Sequence, residues 1–103
     1  MGEPMKLRAV IQADRVEVKI LMAHPEETGL RKGPDGALVP AHFISGVSVQ
    51  TAGREVLRAQ WGPAVSRNPF LQFAFHGAER GEELTVTWID NQGDSRTDRI
   101  RIA

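Results

Sequence analysis

Glu83-Leu84-Thr85-Val86-Thr87-Trp88-Ile89-Asp90, then Asn91-Gln92-Gly93-Asp94, then Ser95-Arg96-Thr97-Asp98-Arg99-Ile100-Arg101-Ile102, is the stretch that decides the fold. Leu84, Val86 and Trp88 alternate with polar neighbours on the first arm, and Ile100 and Ile102 do so on the second. Side chains of a strand point to opposite faces with period two, so each arm reads as a half-buried strand. The four residues between them are turn formers of a hairpin connection.

The same period extends upstream. Val16, Val18, Ile20 and Met22 share one face of Arg15–Met22, with Leu21 an apolar residue on the polar face. Leu7, Ala9, Ile11 and Ala13 alternate before them, and Ala13-Asp14 is suited to turn one strand into the next. Phe43, Val47 and Val49 define an inward face over Phe43–Thr51. Ala52-Gly53 then turns the chain into Arg54–Trp61, where Leu57, Ala59 and Trp61 share a face. Leu71, Phe73 and Phe75 alternate with Gln72, Ala74 and His76. On this parity Phe70 points outward, where it is available to a partner, or caps the end of the domain. Trp61 and Trp88 both stand at inward positions, and Ile89 is apolar on a polar face. No segment carries an apolar period of 3.6. About seven short strands in 103 residues predict an all-β, immunoglobulin-like sandwich of two antiparallel sheets. The chain length allows one domain, expected over 5–103 with a short extension at 1–4.

One segment departs from the alternation. Between His24 and Phe43 lie about twenty residues, roughly twice the length of an ordinary connection or more. Gly33-Pro34-Asp35-Gly36 inside it is a β-turn signal, because proline presets the first central backbone angle. The excursion therefore reads as a minor hairpin or paired loop projecting from one end of the sandwich. Pro25 and Pro40 lack backbone donors near its ends, which discourages extension of the main ladder.

Composition narrows the function. Thirteen Lys and Arg balance thirteen Asp and Glu, so no overall basic field draws in nucleic acid or an anionic membrane. Without cysteine there is no disulfide, thiolate nucleophile or sulfur-ligated metal. The first residues lack the apolar core of a secretory signal. Glu26 and Glu27 are sequence neighbours, whereas an acid/base carboxylate pair must face across a cleft. The serines lack a nucleophile elbow, and no glycine-rich phosphate loop occurs. The expectation is a protein without catalytic residues, cofactor or metal. His24, His42 and His76 keep one alternative open, a small histidine-ligated metalloprotein, since His24 and His42 bracket the excursion. A free-standing ligand-binding sandwich is another.

His24-Pro25-Glu26-Glu27-Thr28-Gly29-Leu30-Arg31-Lys32 and Val39-Pro40-Ala41-His42-Phe43-Ile44 resemble the signature of the SoxZ family. The likeness continues through Ala64–Phe73 and Val86–Gly93 and covers the chain from about Met5 onward. One departure is Glu26, where family members often carry Met. The resemblance implies a non-catalytic, immunoglobulin-like scaffold that pairs with SoxY, whose C-terminal cysteine carries sulfur intermediates covalently. Sox cytochrome, hydrolase and dehydrogenase components process that cargo as thiosulfate is oxidised towards sulfate. It also implies a periplasmic protein exported with its signal-bearing partner; self-association of the isolated chain is an alternative that the sequence leaves open. His24, Glu26, Glu27, Arg31, Lys32, His42, Asn68 and Phe70 are the expected partner-binding residues. Within the excursion Arg31 and Lys32 are the expected contacts to a carboxylate or oxyanion.

Overall fold

The computed structural model describes residues 2–103. Seven strands follow in order: β1 Lys6–Gln12, β2 Arg15–Leu21, β3 Ile44–Thr51, β4 Arg54–Gln60, β5 Phe70–Phe75, β6 Glu83–Asp90 and β7 Ser95–Arg101. No helix occurs among the described residues. They form two antiparallel sheets, β1-β2-β5 and β4-β3-β6-β7, as the expected all-β sandwich requires. The chain end closes the seam between them. Ala103 N donates to Ala9 O and Ile11 N to Ala103 O, which ties the second residue after β7 to β1 of the other sheet.

Alternation builds the core. Val16, Val18 and Ile20 of β2, Val47 and Val49 of β3, and Leu84, Val86 and Trp88 of β6 are all buried, with Met22 and Ile102 beside them. Met5 is buried too, and its N–H donates to Asp98 Oδ2 on β7. Ala13 and Ala52 hold φ of 58° and 50° at the hairpin corners, and Gly53 follows at 76°. The left-handed Ala52-Gly53 pair matches the natural twist of the strands it joins.

Two expectations about the core change. Phe43 does not lead the inward face of β3: Ile44 does, at 0% exposure. The register slips between Ile44 and Gly46 against β6, so Ser45 is an inserted residue. A bulge of this kind reverses the parity of everything on one side of it. Ile44 and Val47 can therefore both point inward. Trp61 is only half-buried at the end of β4, where it packs against the core from the side. The edge of a sheet has no further strand to cover it.

The radius of gyration is 15.6 Å and the extents are 53 × 21 × 19 Å, against roughly 13 Å for a compact domain of this length. A sandwich alone is not that long. The excursion between β2 and β3 has a ladder of its own: Glu27 pairs with His42, and Lys32 pairs with Leu38 further out. Gly36 N donates to Gly33 O across the tip, with Gly36 at φ 82°.

Candidate functional site

The root of the excursion is the most highly organised place in the molecule. His24, 4% exposed, leaves β2 and meets the loop before β5, where its N–H donates to Asn68 Oδ1 and its carbonyl accepts from Asn68 N. Asn68 needs φ of 49° to do this. Asparagine tolerates that left-handed conformation better than most residues. The expected site residues His24 and Asn68 are thus joined across 44 positions of sequence.

His42 arrives from the other arm of the excursion. Its ring lies edge-on to that of His24 at 4.7 Å, and the His24 ring lies edge-on to Trp88 at 4.8 Å. Both Nε2 atoms stand 2.9 Å from the same oxygen, Asp90 Oδ2, while the other carboxylate oxygen accepts from the backbone N–H groups of Gln92 and Asp94. Asp90 is 6% exposed. Burial opposes its ionisation, but hydrogen bonds from His24, His42 and the Gln92 amide, with the electrostatic attraction of His42, outweigh it. Its carboxyl is held below the usual range. The other nitrogen of His24, Nδ1, faces Pro25 O. Both ring nitrogens of His24 therefore face oxygen atoms, one on the excursion and one on β6.

Asp90 was absent from the expected site. Its signal lay in the alternation: Leu84, Val86, Trp88 and Asp90 share one parity, so the series of inward positions ends on a carboxylate. A buried carboxylate needs partners, and the two histidines that bracket the excursion provide them. Two imidazoles and a carboxylate, their ligand atoms within 4.8 Å of one another, are also a donor set able to hold a divalent ion. In the observed geometry Asp90 Oδ2 is at hydrogen-bond distance from each Nε2, so an ion would have to replace both of those bonds.

Beyond the root, the Arg31 guanidinium, an expected contact to a carboxylate or oxyanion, is bonded within the chain. Nε and Nη2 donate to the Glu27 carboxylate over 2.6–3.1 Å, which holds Glu27 below the usual carboxylate range. Arg31 is a strut between the two rungs of the excursion. Lys32 is exposed and forms no ion pair among the described residues, and Glu26 is half-buried beside the root. Leu30 and Leu38 are 81% and 59% exposed near the tip. Phe70 points outward, 58% exposed, opposite Leu21 at 38%. His76 lies apart from the cluster, against Asp14 O. A shallow groove of about 520 Å³ crosses the outer face of the four-stranded sheet, between Ser48, Trp61, Thr87 and Ile89.

These motifs meet a known family. Residues 5–101 match the family described as Sulphur oxidation protein SoxZ. The chain belongs to the SoxZ family. Comparison with curated protein sequences finds no match. Among solved structures, this SoxZ chain is similar to superoxide reductases. A neelaredoxin from Ignicoccus hospitalis superposes with a TM-score of 0.65 at 18% identity, covering 97% of this chain and 79% of the other. A reduced neelaredoxin variant from Archaeoglobus fulgidus gives 0.63 at 21%, covering 99% and 87%. A superoxide reductase in the oxidised state gives 0.65 at 16%, covering 96% and 86%. At such identities the likeness is one of fold. Family membership makes the chain a component of sulfur oxidation, and its sandwich is one that other proteins use for different chemistry.

Proposed function

We propose that this chain is the non-catalytic scaffold subunit of a periplasmic sulfur carrier, pairing with a SoxY-type chain that bears the cargo on its C-terminal cysteine. The observation that carries this reading is the excursion. A rigid root, clamped by His24, His42, Asp90 and Asn68, supports a tip where Leu30, Leu38 and Lys32 face solvent. Exposed apolar side chains on a braced support suit docking, because little conformational entropy remains to be lost on binding. The lack of cysteine leaves the covalent chemistry to the partner.

Co-expression with a SoxY-type subunit tests the pairing: a 1:1 complex on size-exclusion chromatography is expected, and elution of two separate species overturns it. Leu30→Ser combined with Lys32→Glu is expected to slow sulfur turnover of the reconstituted system about tenfold, the scale of one lost apolar anchor, with the circular dichroism spectrum unchanged. Undiminished turnover removes the excursion from the docking surface.

A second reading, a metalloprotein, is favoured by the donor set of His24, His42 and Asp90. Elemental analysis of untagged protein decides it. Stoichiometric zinc, copper or iron, lost in a His24→Ala/His42→Ala variant, replaces the scaffold reading.

A further inference from the structure

The outer face of the three-stranded sheet is a basic surface around an aromatic anchor. The ladder fixes its rows: Lys6, Leu21 and Phe70 stand side by side, then Arg8, Lys19 and Gln72, then Val10, Glu17 and Ala74, with Gln12 beside Arg15. Lys6, Arg8, Arg15 and Lys19 face one carboxylate, Glu17, which is taken by Arg15 at 2.9 Å. Lys6, Arg8 and Lys19 form no ion pair among the described residues. The chain is neutral as a whole, so the excess of three positive charges here is segregation of charge, not general basicity.

Arg8 lies directly opposite Lys19. Like charges in that relation destabilise a sheet, and Glu17, the carboxylate in the next row, is bonded to Arg15. Lysine on an edge strand is a common guard against aggregation, which accounts for Lys6 and Arg8 on β1. Lys19 is on β2, the central strand, where that explanation fails. The same rows carry exposed Leu21 and Phe70, which a guard would leave out. Met22 N donates to Pro69 O and Asn68 clasps His24, so Phe70 stands beside the root of the excursion. Phe70 thus marks the end of the basic face nearest the excursion.

We infer that the outer face of β1-β2-β5 docks an acidic protein surface, whose carboxylates meet Lys6, Arg8 and Lys19 and whose apolar socket receives Phe70 beside Leu21. Charge complementarity selects the carboxylates, and a flat exposed aromatic beside an aliphatic side chain selects a socket of protein. The inference rests on the reading of the chain as a partner-dependent subunit, but the two fail separately.

The test titrates ¹⁵N-labelled protein with a SoxY-type subunit, with the acidic peptide Glu-Glu-Leu-Phe-Glu-Glu, and with phosphatidylglycerol vesicles. Amide shifts report the face engaged. The expected result is perturbation of β1, β2 and Phe70 by the subunit and the peptide, with affinity falling as salt rises. Lys6→Glu/Arg8→Glu/Lys19→Glu and, separately, Phe70→Ser are each expected to weaken subunit binding at least about tenfold. All four positions are exposed, and a cooperative thermal transition with native-like amide dispersion confirms that each variant folds. Should the triple variant not fold, Lys19→Glu alone and Phe70→Ser decide the matter. Subunit binding indifferent to both variants overturns the inference, as does binding to vesicles alone. If the subunit does not bind at all, the proposed pairing falls. The peptide then decides: binding abolished by charge reversal supports the acidic-docking face, and no binding refutes it.

Discussion

Asp90 shows how much one residue can hold together. It ends the inward series of β6, caps the turn into β7 through two backbone amides and receives both histidines of the excursion. Removing one partner of a buried charge pair costs about 3–5 kcal/mol. Asp90→Asn is therefore expected to lower the unfolding free energy by about 3 kcal/mol in a urea titration at neutral pH. The acid limb follows from the same group. A carboxyl whose folded-state value lies below its unfolded one adds stability above the unfolded value, and that stability is lost as pH falls through the folded one. Asp90 is such a group, and so is Asp98, lowered chiefly by its bond from Arg96 against the opposing effect of burial. The urea midpoint of the native protein is expected to fall below about pH 4, and more steeply than that of Asp90→Asn. Parallel curves would show that Asp90 adds nothing to the acid limb. Asp90 was legible in the alternation, but its partners were not. Two histidines separated by seventeen residues carry no spacing signal until the excursion folds back on itself.

At the scale of elements, strands and turns were read correctly wherever period two ran unbroken, and the reading failed where one residue was inserted. β3 looked as if Phe43 led its inward face; the bulge at Ser45 gives that place to Ile44. No local property of serine announces a bulge, because it arises from fitting two strands of unequal residue count against each other. Deletion of Ser45 restores simple alternation and turns either Ile44 or the pair Val47 and Val49 to solvent. At about 1.5–3 kcal/mol for each large apolar side chain exposed, the deletion is expected to remove most of the stability of a domain this size. Loss of the cooperative thermal transition checks it, and a native-like midpoint would show that the register can slip at little cost. The paired excursion was predicted from Gly33-Pro34-Asp35-Gly36, yet the engagement of Arg31 was not. The Arg31 guanidinium, expected to meet a carboxylate or oxyanion, bonds the Glu27 carboxylate four residues earlier, since the same residue types serve a partner or the chain itself.

For the molecule as a whole, charge distribution says more than net charge. Neutral composition argued against nucleic acid or an anionic membrane as a partner, whereas the sheet collects Lys6, Arg8 and Lys19 on one face. If that face is kept for a partner, relieving its repulsion improves the free protein. Lys19→Glu, placing opposite charges side by side with Arg8, is expected to stabilise the isolated chain by about 0.5 kcal/mol at low salt, read as a small rise in urea midpoint that vanishes at high salt. A fall in midpoint would mean that Lys19 makes a stabilising contact in the free chain. What the sequence determined by itself was everything with a short period or a local cause: seven alternating strands, their turns, a long excursion with an ordered tip, and motifs specific enough to place the family. The tertiary structure decided which residues at distant positions share a space. It brought Asp90 between two histidines, turned Ile44 inward and assembled the basic face, because register and sheet pairing set distances between positions that no spacing along the chain encodes.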